Sequence, residues 1–207
     1  MSRLLLTRHG HTNESVRGIV QGQRDTPLND QGESAARCVG EYLEKHFRVK
    51  VIVTSDLRRA VDTAELIAAC HTQVITVIKE PLLREISCGK FEGAPMRLLQ
   101  ELRSRDARGA EHAAPAGGES VAELRERVLR WLAAYVRRVD RETLVVTHRG
   151  PLMVMLQSFS RAPGSRALDN ALEHCAVVTA DISGLAMPRF IGVINPLRYV
   201  RGKNRTK

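Results

Sequence analysis

Short apolar runs alternate along the chain with longer segments in which apolar residues recur every three or four positions. The runs at residues 3–7, 49–53 and 143–147 have the length and the leucine-rich or β-branched composition of buried strands. Because strands that alternate with helices favour parallel pairing, the pattern predicts an α/β fold with a mainly parallel sheet. Three further runs predict the remaining strands, at residues 74–78, 176–182 and 189–194.

Capping residues precede the predicted helices. Asn29 can cap a helix that ends near residue 46, and Ser120 forms a capping box with Glu123 before the most regular apolar stripe in the chain. Either Ser55 or Asp56 is expected to cap the helix that follows the second strand. The residues between the first strand and Asn29 are rich in Gly, Gln and Asp and predict a loop.

Basic side chains and histidines follow three of the predicted strands. Arg8 and His9 end the first strand, Arg58 lies in the first turn of the helix after the second, and His148 follows the third. The carboxyl ends of parallel strands meet at one edge of the sheet, so these side chains are expected to converge there. A guanidinium matches the oxygens of a phosphate, which carries about −1.5 to −2 charges near neutral pH. The cluster therefore predicts a phosphate-binding site.

The composition is that of a globular protein, with 43% hydrophobic and 27% charged residues in a chain of 207. This length favours one domain, residues 1–197, over two. No apolar stretch approaches the roughly 20 residues of a transmembrane helix, and the N-terminus lacks a signal-peptide pattern. A cytoplasmic protein without membrane contact is therefore predicted. The four cysteines form no C-x-x-C pair and predict free thiols.

A basic tail, residues 198–207, ends the sequence. It contains five Lys or Arg residues and no acid, so residues 1–197 carry only +4 of the formal net charge of +9. Such a tail can contact nucleic acid or anionic lipid. A solvated terminus is the more common role, so nucleic-acid contact through the tail is not expected.

His9 has three possible roles on sequence alone. A histidine on a core face is usually structural, but Arg8 and Gly10 beside it at a strand end argue against that role. The H-G-H spelling of residues 9–11 is also compatible with two metal ligands in a barrel hydrolase. The chain is shorter than the roughly 250 residues of a (β/α)₈ barrel, and neighbouring arginines repel a cation. The third role, phosphate chemistry without a metal, is therefore predicted.

Seven short motifs, in the same order along residues 7–148, are shared with one protein family. The chain resembles the histidine phosphatase superfamily, in its branch of phosphoglycerate mutases and acid-type phosphatases. The motifs are T-R-H-G-x-T at 7–12, Q-G-Q at 21–23, P-L at 27–28, T-S-D-L-x-R-A at 54–60, L-x-E-x-x-x-G-x-x-E-G at 83–93, G-G-E-S at 117–120 and V-V-T-H at 145–148. Each is weak alone, but together they are highly specific. The resemblance implies a three-layer α/β/α fold with a mainly parallel mixed sheet.

The resemblance also implies a role for each central residue. His9 is the expected nucleophile that becomes phosphohistidine, Arg8 and Arg58 are expected to hold the phosphoryl oxygens, and His148 to stabilise the transferring group. Glu85 is the expected proton donor to the leaving alcohol. From the residues alone, a solvated acid or an ion pair with its neighbour is an equal alternative for Glu85. No metal and no cofactor are expected.

Substrate contacts are also expected from the predicted loop, where Gln21 and Gly22 match the family. Many relatives have an asparagine where this chain has Ser15, and an asparagine occurs instead at Asn13, so both residues are candidates for that contact. Arg149 stands where many relatives have glycine after the second histidine. It is either a specificity element or a solvated side chain.

Phosphatases and mutases of this family share the phosphohistidine and differ in what accepts the phosphoryl group. Cofactor-dependent mutases carry a long proline-rich insertion where this chain has only 23 residues, between Gly93 and Gly117. This favours a phosphatase of small phosphorylated metabolites: sugar phosphates, phosphoglycerates or substrates like fructose 2,6-bisphosphate. The alternatives are a 2,3-bisphosphoglycerate-dependent phosphoglycerate mutase and a phospho-ligand-binding protein with little catalysis. Residues 94–118, with a polar helix at 96–108, are the predicted substrate lid, and a homodimer is compatible with the sequence.

Overall fold

The computed structural model describes residues 3–105, 109, 111–137, 142–183 and 187–197. The basic tail, for which no nucleic-acid contact is expected, lies outside the described residues. Within the described ranges, no helix has both the length and the apolar character needed to cross a membrane.

Six strands of the described chain form one mixed sheet in the order β3-β2-β4-β1-β5-β6. They are β1 (Arg3–Arg8), β2 (Val51–Thr54), β3 (Thr76–Lys79), β4 (Thr143–Thr147), β5 (Val177–Asp181) and β6 (Arg189–Ile194). The pairs β1·β4, β2·β4 and β2·β3 are parallel, whereas β5 is antiparallel to both of its neighbours. The mainly parallel mixed sheet is confirmed.

Helices pack on both faces of this sheet. They are α1 (Asn13–Val16), α2 (Asp30–His46), α3 (Arg58–Ala68), α4 (Met96–Arg105), α5 (Val121–Val136), α6 (Arg149–Ser158) and α7 (Ser165–Ala171). Alternate residues of β1 serve different layers: Leu4 and Leu6 are buried among residues of α5 and α6, and Leu5 among residues of α2 and α3. A strand that is covered on both faces needs a continuous apolar run, which explains the three leucines. The three-layer α/β/α arrangement is confirmed.

Two of the predicted helix caps are present. The Asn29 side chain accepts a hydrogen bond from Gly32 N at 2.9 Å at the start of α2. Ser120 Oγ accepts from Glu123 N at 3.2 Å, and the Glu123 carboxylate accepts from Ser120 N at 2.8 Å. These bonds satisfy backbone donors that the first turn of a helix leaves free.

The predicted cap of α3 is wrong. Its N-cap is Leu57, which offers no side-chain acceptor. Ser55 Oγ lies 2.8 Å from His148 Nε2, and Asp56 accepts two bonds from Arg84 at 2.7 and 2.5 Å. Neither candidate is therefore the N-cap residue, and the first N–H of α3, that of Arg58, donates instead to the Asp25 carboxylate at 2.7 Å.

Two short helices were not expected from the sequence. α1 interrupts the predicted loop, and its capping box joins Thr12 to Ser15 by bonds of 3.0 Å in both directions. α7 lies between α6 and β5, and it leads into the turn that places His174 beside the end of β1.

Three strand ends meet at one edge of the sheet. Arg8 of β1 pairs with Thr147 of β4, and β2 ends level with the same strand. The next residues continue this pairing, because His9 N donates to Thr147 O and Ser55 N donates to Val146 O, each at 3.0 Å. The residues that follow β1, β2 and β4 are therefore neighbours.

Candidate active site

His9 follows β1 directly and is only 2% exposed. Its Nδ1 lies 2.7 Å from the carbonyl oxygen of Gly10, so this nitrogen carries the proton in the neutral ring. The lone pair then belongs to Nε2, and His9 lines a cavity with a largely apolar wall. Burial lowers the pKa of His9 well below its ordinary value, and His148, Arg59 and Arg8 lower it further. The imidazole is therefore neutral near physiological pH, as a nitrogen nucleophile must be.

Two guanidinium groups flank His9, one from half-buried Arg8 and one from buried Arg59. Arg8 Nη1 donates to Leu172 O at 3.1 Å, and Arg59, 1% exposed, donates from Nη1 and Nη2 to the carbonyls of Arg24 and Gly22, each at 2.8 Å. The Nε atoms of Arg8 and Arg59 have no hydrogen-bond partner in the described chain. Burial lowers the pKa of Arg8 to about 10 and also lowers the pKa of Arg59, although Glu85 opposes both shifts. Both groups remain cationic at neutral pH.

Arg58, which the sequence placed in this cluster, lies outside it. Its side chain is 60% exposed and 3.6 Å from Asp62, and its backbone N donates to Asp25 at 2.7 Å. Successive helical residues point about 100° apart. Only one of the two adjacent arginines can therefore face the cavity, and the structure gives that position to Arg59. The prediction of Arg58 is corrected to Arg59.

His148 supports His9 from behind. It is fully buried at the end of β4, and the centroids of the two imidazole rings are 5.0 Å apart. His148 Nε2 lies 2.8 Å from Ser55 Oγ, whereas its Nδ1 has no hydrogen-bond partner in the described chain. Burial lowers the pKa of His148 well below its ordinary value, and Arg59 and Arg8 lower it further. A neutral ring, one nitrogen of which is unpaired among the described residues, is thus held beside His9.

Glu85 lies at the cavity through bonds to backbone groups. Its Oε1 accepts from Ile86 N at 3.0 Å and from Gly150 N at 3.1 Å. A Cβ on Gly150 would lie 2.4 Å from that oxygen, so this close approach requires glycine. Arg149 also lines the cavity while its side chain is exposed. The structure therefore brings Glu85 and Arg149 to the same site as His9.

The first loop contributes three of the four predicted contacts. Ser15, Gln21 and Gly22 line the cavity. Gln21 Oε1 is fixed by the hydroxyls of Thr12 at 3.0 Å and Thr26 at 2.7 Å. Asn13 is exposed and does not line the cavity, because it is the first residue of α1, whereas Ser15 completes the capping box at the cavity wall. The structure therefore places Asn13 outside the cavity, contrary to the prediction that it contacts the substrate.

A third histidine at the site, the half-buried His174, was missed from the sequence. Its Nδ1 donates to His9 O at 2.7 Å, and its ring centroid lies 5.1 Å from that of His9 and 4.1 Å from that of His11. The following residue, Cys175, donates from its backbone to Arg8 O at 3.0 Å and has a φ of 59°. Burial, and then Arg8, lowers the pKa of His174 to about 3. The turn before β5 thus donates hydrogen bonds to the backbone carbonyl oxygens of both Arg8 and His9.

The cavity has a volume of about 340 Å³. Arg8, His9, Arg59 and Glu85 lie at it together with residues of the predicted lid. Much of its wall is apolar, formed by Ile19, Val20, Ile86, Met96, Leu99, Val121, Leu124, Met153 and Val154. Among the described residues, no group of three or more His, Cys, Asp or Glu side chains is arranged to hold a metal ion.

Comparison with known proteins agrees with this geometry. The family model of the histidine phosphatase superfamily (branch 1) matches residues 4–186. Fructose-2,6-bisphosphatase TIGAR B of Danio rerio is 34% identical over 142 residues, which are 67% of this chain and 55% of that protein. This chain thus matches little more than half the length of that relative.

Two further similarities cover more of both partners. Probable phosphoglycerate mutase GpmB of Yersinia enterocolitica is 31% identical over 187 residues, 87% of this chain and 85% of that protein. The solved structure of Bacillus stearothermophilus YhfR superposes with a TM-score of 0.74 at 29% identity and covers 93% of this chain and 96% of its own. These relatives support a phosphoryl-transfer enzyme. His9 and His148 lie at adjacent strand ends, and the family model matches most of this chain. The chain therefore belongs to branch 1 of the histidine phosphatase superfamily.

Proposed function

We propose that the protein is a metal-independent phosphomonoesterase that acts on small phosphorylated molecules through a phosphohistidine intermediate. The observation that carries this proposal is the fixed ring of His9. Its Nδ1 is bound to Gly10 O at 2.7 Å, which leaves Nε2 as the nucleophile at a cavity shared with Arg8, Arg59 and Glu85. A neutral nucleophile beside two cations and one carboxyl group suits attack on a phosphate ester.

In the first half-reaction, His9 Nε2 attacks phosphorus and the bond to the alcohol oxygen breaks. Arg8 and Arg59, which line the cavity, neutralise the phosphoryl oxygens. When Nε2 of His148 accepts from Ser55 Oγ, its unpaired Nδ1 carries the ring proton and supplies a further hydrogen bond. Protonated Glu85 gives its proton to the departing oxygen, so that a neutral alcohol leaves.

In the second half-reaction, the Glu85 carboxylate removes a proton from water, and the resulting nucleophile attacks the phosphohistidine. The bond between phosphorus and Nε2 breaks, and inorganic phosphate is released while His9 and protonated Glu85 are restored. Glu85 keeps its position through both steps by the backbone groups of Ile86 and Gly150.

A phosphoglycerate mutase is the second candidate function, and the similarity to the probable mutase of Yersinia enterocolitica favours it. A mutase returns the phosphoryl group to a glycerate instead of water, which requires a site that excludes water. Incubation with 3-phosphoglycerate, with and without 2,3-bisphosphoglycerate, separates the two functions. Accumulation of the 2-isomer without free phosphate would overturn the proposed phosphatase.

The proposal is tested by phosphate release from phenyl phosphate and 3-phosphoglycerate in the presence of a chelator. We expect His9→Ala to lower the rate by at least about 10³-fold and to abolish an acid-labile phosphoenzyme trapped from radiolabelled substrate. His112→Ala, an exposed histidine that does not line the cavity, is the matched control. Phosphate binding without turnover would indicate a phospho-ligand-binding protein, and loss of activity with chelator would exclude a metal-independent reaction.

A further inference from the structure

The lid helix α4 presents one face to the cavity, and that face ends in an arginine. Met96, Leu99, Gln100 and Arg103 line the cavity at helical spacing. Nε and Nη2 of Arg103 are inaccessible to solvent and have no hydrogen-bond partner in the described chain. A guanidinium group cannot lose its charge near neutral pH, so leaving two of its donors buried and unpaired is costly. This edge of Arg103 therefore lacks the partner that its position requires.

In two other arginines of this molecule, the guanidinium edge formed by Nε and Nη2 binds a carboxylate. Arg84 Nε and Nη2 donate to the two oxygens of Asp56 at 2.7 and 2.5 Å. Arg127 Nε and Nη2 donate to the two oxygens of Glu119 at 2.6 and 2.9 Å. Because Nε and Nη2 form a planar pair of donors, they match two oxygens of one anionic group. Arg103 offers this pair at a cavity instead of to a protein carboxylate.

The cavity also extends well beyond the reacting groups. Along α6 it is lined from Gly150, which donates to Glu85, to Gln157, a distance of seven residues or about 10 Å along the helix. The face of α6 between them carries Met153 and Val154, and Leu99 of α4 adds to the apolar wall. A phosphoryl group and a short polar alcohol leave most of this wall in contact with water. An apolar body on the alcohol would cover it.

We propose that the cavity selects phosphate monoesters whose alcohol combines an apolar body with a second anionic group, which binds Nε and Nη2 of Arg103. This inference rests on the proposed function, because that function places the phosphoryl group at His9. The substrate class is thus an aromatic or medium-length aliphatic phosphate ester that carries a carboxylate or a second phosphate.

The test compares phenyl phosphate with esters of the same phenol that carry a second anion on the ring. The series contains a carboxylate attached directly or through one or two methylene groups, and a second phosphate at the same positions. We expect the best-fitting anionic ester to exceed phenyl phosphate by about 10- to 100-fold in kcat/KM. In Arg103→Met this advantage falls to about one, whereas Arg105→Met, an exposed arginine on the same helix, retains it. The members that benefit identify the second anion as carboxylate or phosphate.

A second variant tests the apolar wall. We expect Met153→Gln to lower kcat/KM for phenyl phosphate by about 10-fold, and by a smaller factor for methyl phosphate, whose alcohol is too small to reach the wall. Equal rates for all anionic and neutral esters, or an anionic advantage that survives in Arg103→Met, would overturn the inference.

Binding separates this inference from the proposed function. Calorimetry with 4-carboxybenzylphosphonate and benzylphosphonate, which are not hydrolysed, measures the contribution of the second anion without turnover. Hydrolysis that depends on His9, together with equal binding of the two phosphonates to wild type, would refute only the inference. Absence of hydrolysis of every ester, with tighter binding of the carboxylated phosphonate to wild type than to Arg103→Met, would refute only the phosphatase.

Discussion

Single side chains at the end of β1 create a site that is cationic but holds neutral imidazoles. Arg59 is buried and Arg8 is half-buried, and in the described chain neither has a carboxylate bonded to it, while burial keeps His9 and His148 uncharged. Concentrated positive charge disfavours the native state until an anion binds. In the proposed reaction, a phosphoryl group removes this cost as it enters and meets a lone pair on His9 Nε2 that no proton blocks. In that reaction the same positive charges serve both phosphate binding and nucleophilic attack.

The neighbouring arginines of α3 permit a matched test of this electrostatic role. We expect Arg59→Lys, which keeps the charge but loses the planar donors, to lower kcat/KM for phenyl phosphate by about 10²-fold or more. Arg58→Lys should change it by less than about 3-fold, because Arg58 is exposed and paired with Asp62. Steady-state kinetics on both variants, with circular dichroism as a folding control, decide the matter. Comparable losses in the two variants would contradict the position assigned to Arg59.

The sequence predicted most of the residues that the structure brings together, and its failures have physical causes. Arg8, His9 and His148 could be identified from the sequence because each stands at the end of an apolar run that forms a strand. Arg59 was recoverable too: it occupies the arginine position of the L-x-R-A motif and lies four residues before buried Thr63 on the inward face of α3. His174 carried no such signal, since it lies in a turn whose position depends on pairing with Arg8.

At the scale of elements, α2 constrains the backbone of residues 9–11, which follow β1. Asn29 N donates to His11 O at 3.0 Å, and the first turn of α2 packs on residues 10 and 11. A Cβ on Gly32 would lie 2.2 Å from His11 O, and one on Gly10 would lie 2.6 Å from Gly32 O. The two glycines therefore allow a helix to pack directly against the backbone beside His9.

Gly32→Ala tests this packing. Alanine in a helix is ordinarily about 1 kcal/mol better than glycine, but here the clash with the His11 backbone should dominate. We expect a loss of about 2 kcal/mol or more in the free energy of unfolding by urea, together with a lower kcat. Gly164→Ala, at the start of α7 with no atom within 4 Å of the added Cβ, is the control. Stabilisation of Gly32→Ala would show that the turn is not constrained by α2.

Elements whose signals are local were predicted well, and those that depend on tertiary partners were not. α2 and α5 have caps and stripes within their own sequence, and both are present. The start of α3 was misplaced because Ser55 and Asp56 bind His148 and Arg84, which are far along the chain. Local pattern cannot show that a capping side chain is already bound elsewhere.

At the scale of the whole molecule, the order of the strands in the sheet determines which side chains lie around the end of β1. β1 lies between β4 and β5, so the nucleophile strand is central and its end receives groups from both neighbours. From β4 comes His148, and from the turn before β5 comes His174. The alternation of strands and helices predicted parallel pairing, but this alternation does not predict the order of the strands in the sheet. The buried histidine cluster is a consequence of that order.

This cluster should make the stability of the entire fold sensitive to mild acid. An unfolded histidine has a pKa of about 6.5, whereas burial lowers the pKa of His174 to about 3 and keeps the pKa values of His9 and His148 well below their ordinary value. Below pH 6.5 the unfolded chain therefore binds protons that the folded chain excludes, so the free energy of unfolding falls as the pH falls toward 3.

Urea unfolding at pH 7.5 and pH 5.0 measures this dependence above the range in which most carboxylates titrate. We expect each of these three histidines to account for about 2 kcal/mol of the stability lost between these pH values. His174→Asn removes one titrating group while its amide can still donate to His9 O, so its loss should be smaller by about that amount. His112→Ala, at an exposed position, should lose as much as wild type. Identical losses in all three proteins would mean that His174 is protonated as readily in the folded chain as in the unfolded one.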